Sequence, residues 1–223
     1  MAQIEKQPLR KVRERELVAA TRALFDERGM QHAPIEEIAK AAGIARGLVY
    51  RAFSSKEELF VLTVTDYLDE LAGLLETAVA SESEPAAQLE RVVEAYAGFC
   101  RRYPAFLDCS HALMQRPARE LNGIVSESVW LRLGQGMSRC LGRVAEVLRA
   151  GSESGAFTEV EDPDFTANLL WTQMLGAMNL ARIRVGVREL GPGVPGLFKV
   201  EPERVVESCV ESALAVVGAP RTS

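Results

Sequence analysis

The chain reads as all-α: an N-terminal three-helix helix-turn-helix domain followed by a larger C-terminal helical domain. Three observations predict this. Apolar residues recur at three- and four-residue spacing through most of the 223 residues, and period-two alternation is nearly absent. Residues 33–59 read as two short helices around a glycine turn, followed by a capped third helix. Pro34, Pro104, Pro117, Pro163 and Pro202 each stand where a helix should start.

The first helix is expected over residues 9–28, with Leu17, Ala20, Leu24 and Phe25 on one face and Gly29 as a left-handed end. The second starts at Pro34 and buries Ile35, Ile38, Ala39 and Ala42. Gly43 supplies the turn and Ile44 points back to the core. The third covers residues 46–53, where Val49 and Phe53 face inward together. Ser55 and Glu58 have the spacing of a capping box at the start of a fourth helix, which runs to residue 80. Further helices are expected at 85–102, 104–115, 118–150, 163–187 and 202–217. Residues 151–155 and the Gly- and Pro-rich 191–196 are expected to be loops. The domains are set at 1–55 and 56–223.

Charge is uneven. Residues 1–60 hold 11 Lys/Arg against 9 Asp/Glu, whereas the remainder holds 15 against 22. An acidic chain with a mildly basic end suits nucleic-acid contact confined to that end. Cys100, Cys109, Cys140 and Cys209 have no metal-ligand spacing and lie in apolar helical context. They are expected to be buried free thiols of a cytoplasmic protein, with no metal and no cofactor. No apolar run approaches the roughly 20 residues of a membrane span, and no signal peptide opens the chain. Asp108, Cys109, Ser110 and His111 are tempting types for catalysis. Chain neighbours do not make a triad, however, so no enzyme is expected.

The third helix carries the chemistry for DNA. Arg46 and Arg51 can reach base edges or phosphates, and arginine pairs bidentately with guanine. Gly47 allows close approach of the backbone, Tyr50 offers a hydroxyl to phosphate, and Leu48 can pack on a thymine methyl. Lys56 and the amides opening the fourth helix make an anion site. Lys6, Arg10, Lys11, Arg13 and Arg15 either form an arm for the adjacent groove or are a solvated terminus.

Residues 13–60 resemble the DNA-binding domain of the tetracycline-repressor (TetR/AcrR) family. The resemblance runs through residues 23–29, Ile38-Ala39, Ala42-Gly43-Ile44, Gly47, Tyr50, Phe53 and residues 55–59. It implies a homodimeric, all-helical regulator, most often a repressor released from its operator by a small ligand. This chain departs from the pattern at Ala33 and Ala45, where the family often has a hydroxyl, and at Leu48 and Ala52. An alanine at each cap position forfeits about 1 kcal/mol and a possible bond to DNA. Arg46, Tyr50, Arg51 and Lys56 must then carry more of the contact, which makes a salt-sensitive grip the expectation.

The remaining 160 or so residues hold most of the large apolar side chains, Phe157 and Phe165 among them. Phe99, Tyr103, Phe106, Met114, Trp130, Leu133, Met137, Trp171 and Met174, with His111 and Gln173 as orienting polar groups, are the candidate lining of a ligand pocket. Asn179 and Gln115 are further polar candidates. A hydrophobic or aromatic effector fits this set. The last two long helices carry apolar stripes, Leu170, Met174, Ala177, Met178 and Ala181 on one, and Val206, Val210 and Ala213 on the other. The resemblance implies that they form the dimer interface. The expected partners are a double-stranded, near-palindromic operator, a small effector and a second copy of the chain, with no membrane. The alternative function is a DNA-binding regulator without a small effector, controlled by a partner protein or by abundance.

Overall fold

The computed structural model describes residues 6–29, 34–115 and 123–219, with side chains from residue 11 onward. Nine helices and one β-hairpin occur among the described residues: α1 Lys6–Arg28, α2 Ile35–Ala41, α3 Arg46–Ala52, α4 Lys56–Ala80, α5 Pro85–Arg102, α6 Pro104–Met114, α7 Glu127–Ser154, α8 Pro163–Ile183, β1 Val185–Gly191, β2 Val194–Lys199 and α9 Pro202–Val216. None of these helices is long and apolar enough to cross a membrane. Ala33 and Pro117 lie outside the described residues, as do the side chains of Lys6 and Arg10.

The chain divides into two compact units, Met1–Asp69 with Tyr103–Met137, and Glu70–Arg102 with Ser138–Ser223. The division does not follow the expected boundary at 55/56. In the first unit α1, α2 and α3 pack on one another and α1 packs on α6. Leu17, Ile38, Val49, Leu59, Tyr67 and Phe106 are its buried centre. Gly29 ends α1 at φ 80° with its N–H on the Phe25 carbonyl. In the second unit α9 packs on α5 and α8 around Leu89, Val93, Phe99, Leu175 and Cys209. Burial pushes the Cys100 and Cys109 thiols up to about 12, so both are protonated at neutral pH.

Three expectations are corrected. Residues 151–154 continue α7 rather than forming a loop, because Gly151 lets the buried Phe157 ring lie against the helix. A Cβ at Gly151 would stand 2.0 Å from that ring. The helix expected over 163–187 stops at Ile183. Arg184 takes a left-handed φ of 58° and caps α8 through its N–H on the Leu180 carbonyl. The expected loop is instead the tip of an antiparallel hairpin in which Val187 pairs with Leu197 and Gly186 with Phe198. Pro192 and Gly193 (φ 73°) occupy the two tip positions where Pro and a positive-φ Gly serve a type II turn. The same Gly–Pro content that rules out a helix thus builds a turn.

Candidate nucleic-acid interface and ligand cavity

The turn between α2 and α3 is closed by backbone geometry. Gly43 sits at φ 66°, its N–H bonds the Lys40 carbonyl at 3.1 Å, and the Ile44 N–H bonds the Ala39 carbonyl at 3.0 Å. That pair of bonds is a Schellman ending, and it needs a residue free to adopt positive φ. Ala45 then stands at the N-cap of α3 with no side-chain cap bond. Val49 and Phe53 are buried, at 1% and 3% exposure. Their burial fixes which side of α3 faces solvent.

That solvent side presents Arg46, Gly47, Tyr50 and Arg51, with Leu48 and Ala52 half-buried. The two arginines differ. Arg46 Nη1 is 2.8 Å from Glu36 Oε1 of α2, and its guanidinium lies 5.6 Å from the Tyr50 ring centre. A hydrogen bond with Tyr50, and then Glu36, hold it more firmly charged than usual. Arg51 makes no ion pair among the described residues. An anion approaching Arg46 would therefore have to displace the Glu36 carboxylate, whereas at Arg51 it would displace no ion-pair partner among the described residues. Glu36→Gln removes that competitor and a like charge facing DNA. It is expected to raise operator affinity several-fold, with the gain shrinking as salt rises. Fluorescence anisotropy on a labelled operator duplex measures it.

The start of α4 is tied down. Ser55 Oγ accepts from the Glu58 N–H at 3.0 Å, and donates to the Ile124 carbonyl at 3.1 Å. The reciprocal half of the expected capping box is shifted by one residue: the Glu58 carboxylate accepts from the N–H and hydroxyl of Ser54, at 2.6 and 2.7 Å. Its other oxygen accepts from Ser126 Oγ. The expected anion site at this helix end is thus already filled in part by Glu58, beside which Lys56 is exposed. Burial raises the Glu58 pKa, but the bonds from Ser126 and Ser54 together outweigh it and hold the carboxyl below the usual range. A depressed carboxylate stabilises the fold above its unfolded pKa, and that share is lost as pH falls through its folded pKa. Glu58→Gln is expected to cost about 1.5 kcal/mol at neutral pH and to flatten the acid limb of a stability–pH profile obtained by urea denaturation.

Behind the turn, α1 is locked to α4 and α6. Arg22 Nη1 is 2.7 Å from Asp66 Oδ2, and the guanidinium lies 4.2 Å from the Tyr67 ring centre and 4.7 Å from that of Tyr103. The fully buried Tyr67 donates its hydroxyl to Asp26 Oδ1 at 2.6 Å. Burial, and then Asp26, push the Tyr67 pKa far up, so it remains a donor. Sequence reading missed this network. Its members are spread over residues 22–103, and no local spacing marks them.

The candidate pocket residues are dispersed. Tyr103, Phe106, His111, Met114, Trp130, Leu133 and Met137 belong to the first unit, and Phe99, Trp171, Gln173 and Met174 to the second. Tyr103 and Phe106 pack on Tyr67, with ring centres 5.7 and 5.9 Å away. His111 Nδ1 is 2.8 Å from the Leu107 carbonyl, Leu133 is buried, Trp130 and Met137 are half-buried, and Met114 is 57% exposed. In the second unit Phe99 is buried, Trp171 stands edge-on to Tyr96 at 4.9 Å, and Phe165 is 65% exposed. Gln173 and Met174 line a cavity of about 610 Å³ between α8, α9, the tip of Val93 on α5 and the hairpin base. Leu170, Ala177 and Ala213 line it as well. Sequence reading missed its polar side, Lys199, Glu201, Arg204, Ser208 and Ser212. Lys199 ends β2, and the other four lie at the N-cap and on the exposed side of α9.

The candidate interface residues are also unevenly placed. Leu170, Met178, Ala181 and Ala213 are buried within the subunit, and Ala177, Val206 and Val210 are half-buried. The exposed apolar stripe of α8 is Phe165, Leu169, Leu180 and Ile183.

A glycine-turned helix pair presenting arginine and tyrosine, followed along the chain by a larger helical body, defines a helix-turn-helix transcriptional regulator. Residues 17–62 match the family described as bacterial regulatory proteins, tetR family. The HTH-type transcriptional repressor KstR2 of Rhodococcus jostii is 30% identical over 158 residues, 71% of this chain and 74% of that protein. The chain belongs to the tetR family of bacterial regulatory proteins. Two solved structures share the fold. The ketosteroid transcriptional regulator KstR2 of Mycobacterium tuberculosis has a TM-score of 0.60 at 21% identity, over 94% of this chain and 96% of that one. The regulator FadR of Bacillus subtilis, solved with stearoyl-CoA, has a TM-score of 0.65 at 14% identity, over 91% and 98%.

Proposed function

We propose that the chain is a cytoplasmic repressor that holds a near-palindromic operator as a homodimer and is released by a small amphipathic ligand. The observation that carries the DNA reading is α3, where two buried anchors turn Arg46, Tyr50 and Arg51 to solvent on a capped glycine turn. Lys56 adds a phosphate contact, and Gly47 and Leu48 meet the groove. One seven-residue helix reads few bases, so specificity needs two copies. Regulators of this family bind DNA as dimers. The exposed α8 stripe is the face assigned to the partner. The domain roles follow the chain: DNA contact in residues 1–55 together with Lys56, ligand and dimer functions after it.

The ligand reading rests on the cavity. Its volume is within the range of small-molecule sites. Apolar α8 and α9 side chains line it, and Arg204 brings positive charge to the same space, where Lys199 is paired with Glu201 at 2.6 Å. An apolar body with an anionic group fits better than the purely hydrophobic effector expected from the aromatics. Stearoyl-CoA, with which the Bacillus subtilis FadR was solved, has such an apolar body and anionic groups, and KstR2 is named a ketosteroid transcriptional regulator. Release requires that ligand favour the conformation that grips DNA less well. The α4 helix, running from Lys56 to Ala80, is the covalent element that connects the two functions.

Long-chain fatty acids, acyl-CoAs and steroid carboxylic acids are the probes. A true effector raises the melting temperature and weakens binding to a labelled operator, and Arg204→Ala blunts both effects without changing operator affinity in the absence of ligand. Stabilisation by these probes with unchanged DNA affinity would count against the switch.

A further inference from the structure

We propose that the β-hairpin is a clasp covered by a second copy of this chain, so that the dimer is held by β-structure as well as by α8. The inference rests on the dimeric reading above and adds a part to it.

Two strands alone are marginal in water. This hairpin nevertheless shows apolar side chains to solvent on both faces. On one, the cross-strand pair Val187 and Leu197 is 73% and 71% exposed. On the other, Leu190 is 62% and Phe198 40% exposed. The second face is built to be flat. A Cβ at Gly186 would stand 2.3 Å from the Phe198 ring, and one at Gly196 would stand 2.5 Å from Leu190. Each glycine is thus a seat for the apolar side chain that lies across it.

The patch is continuous with the α8 stripe. Ile183, 60% exposed, is followed by the Arg184 cap and then by Val185, and the Val200 N–H on the Arg184 carbonyl closes the hairpin base. Together α8 and the hairpin expose ten large apolar side chains at 37% to 73%. Monomers rarely expose a contiguous apolar patch beyond a few hundred Å², and a stable interface needs on the order of 800 Å² from each partner. The α8 stripe supplies four of the ten side chains and the hairpin the other six, so the hairpin enlarges the apolar surface open to a partner. The occupant is a second copy because the face suits itself. Beside its apolar side chains, Arg188 and Glu189 offer both charges to a two-fold mate.

The test places the photo-crosslinker p-benzoylphenylalanine at position 197 of the full chain, with exposed position 153 as control. Irradiation is expected to give a covalent dimer from position 197 and none from 153. The double variant Val187→Ser/Leu197→Ser is expected to weaken dimerisation at least tenfold by sedimentation, with an unchanged helical circular dichroism spectrum. Absence of an intersubunit adduct at 197, or a dimerisation constant within twofold of the parent, overturns the clasp. If Leu180→Glu/Ile183→Glu splits the dimer while the hairpin changes do not, the α8 interface stands and the clasp falls. A parent chain that stays monomeric at all concentrations removes the dimeric reading itself.

Discussion

Arg22→Ala is expected to lower the free energy of unfolding by about 2–4 kcal/mol. Three losses add up. The guanidinium leaves its place against the Tyr67 and Tyr103 rings, a contact strengthened by partial burial. Asp66 loses its 2.7 Å partner, and Asp26 loses the cation beside it while still accepting from Tyr67. The pocket vacated between two rings cannot close without moving α1. The two carboxylates keep 45% and 29% of their side-chain exposure, so water relieves part of their cost and the upper bound for a buried pair does not apply. Arg22→Lys should recover the charge but not the planar stacking, and fall between parent and alanine. Urea denaturation of the three proteins measures this. A loss below about 1 kcal/mol for alanine would make the network a surface ion pair in energetic terms.

Arg51→Ala is expected to weaken operator binding by about 10- to 100-fold while leaving the melting temperature unchanged. Arg51 is exposed on the last turn of α3 and holds no ion pair among the described residues, so its removal strands no partner and costs the fold little. Its whole effect should fall on DNA. Binding across a salt series then separates two roles. A phosphate contact weakens operator and scrambled duplex alike and reduces the salt slope by about one. A base contact costs discrimination first, because a bidentate pair with guanine is lost. Unchanged affinity at every salt concentration would place Arg51 outside the interface.

How much of this was legible in sequence depended on how local the cause was. The α2–α3 turn could be read because its determinants lie within a few residues: Gly43 for the left-handed turn, Ile38, Val49 and Phe53 for the packed side, Ser55 for the cap. The hairpin could not, because each strand is short and most of its apolar side chains are exposed rather than packed into the core. Val185, Val187 and Leu197 therefore give no core signal, and the Gly- and Pro-rich 191–196 reads as a loop without the strands that flank its turn. The pocket forecast assumed that aromatics at helical spacing would surround a ligand. Phe99 and Phe106 are fully buried, where large rings bury the most apolar area, and the cavity between α8 and α9 is lined by smaller side chains, by Arg204 and by the Lys199–Glu201 pair.

The sequence by itself determined the all-helical class, the helix-turn-helix and the residues that α3 turns to solvent. Capping, turn conformation and helical period act over fewer than about eight residues. Only the tertiary structure decided that Arg46 is engaged by Glu36, that Arg22 is held between two tyrosines, that α8 gives way to a hairpin, and that Lys199 and Arg204 share a cavity. Each depends on side chains from separate elements meeting. Their energies come from contact and shared burial, which no spacing along the chain encodes.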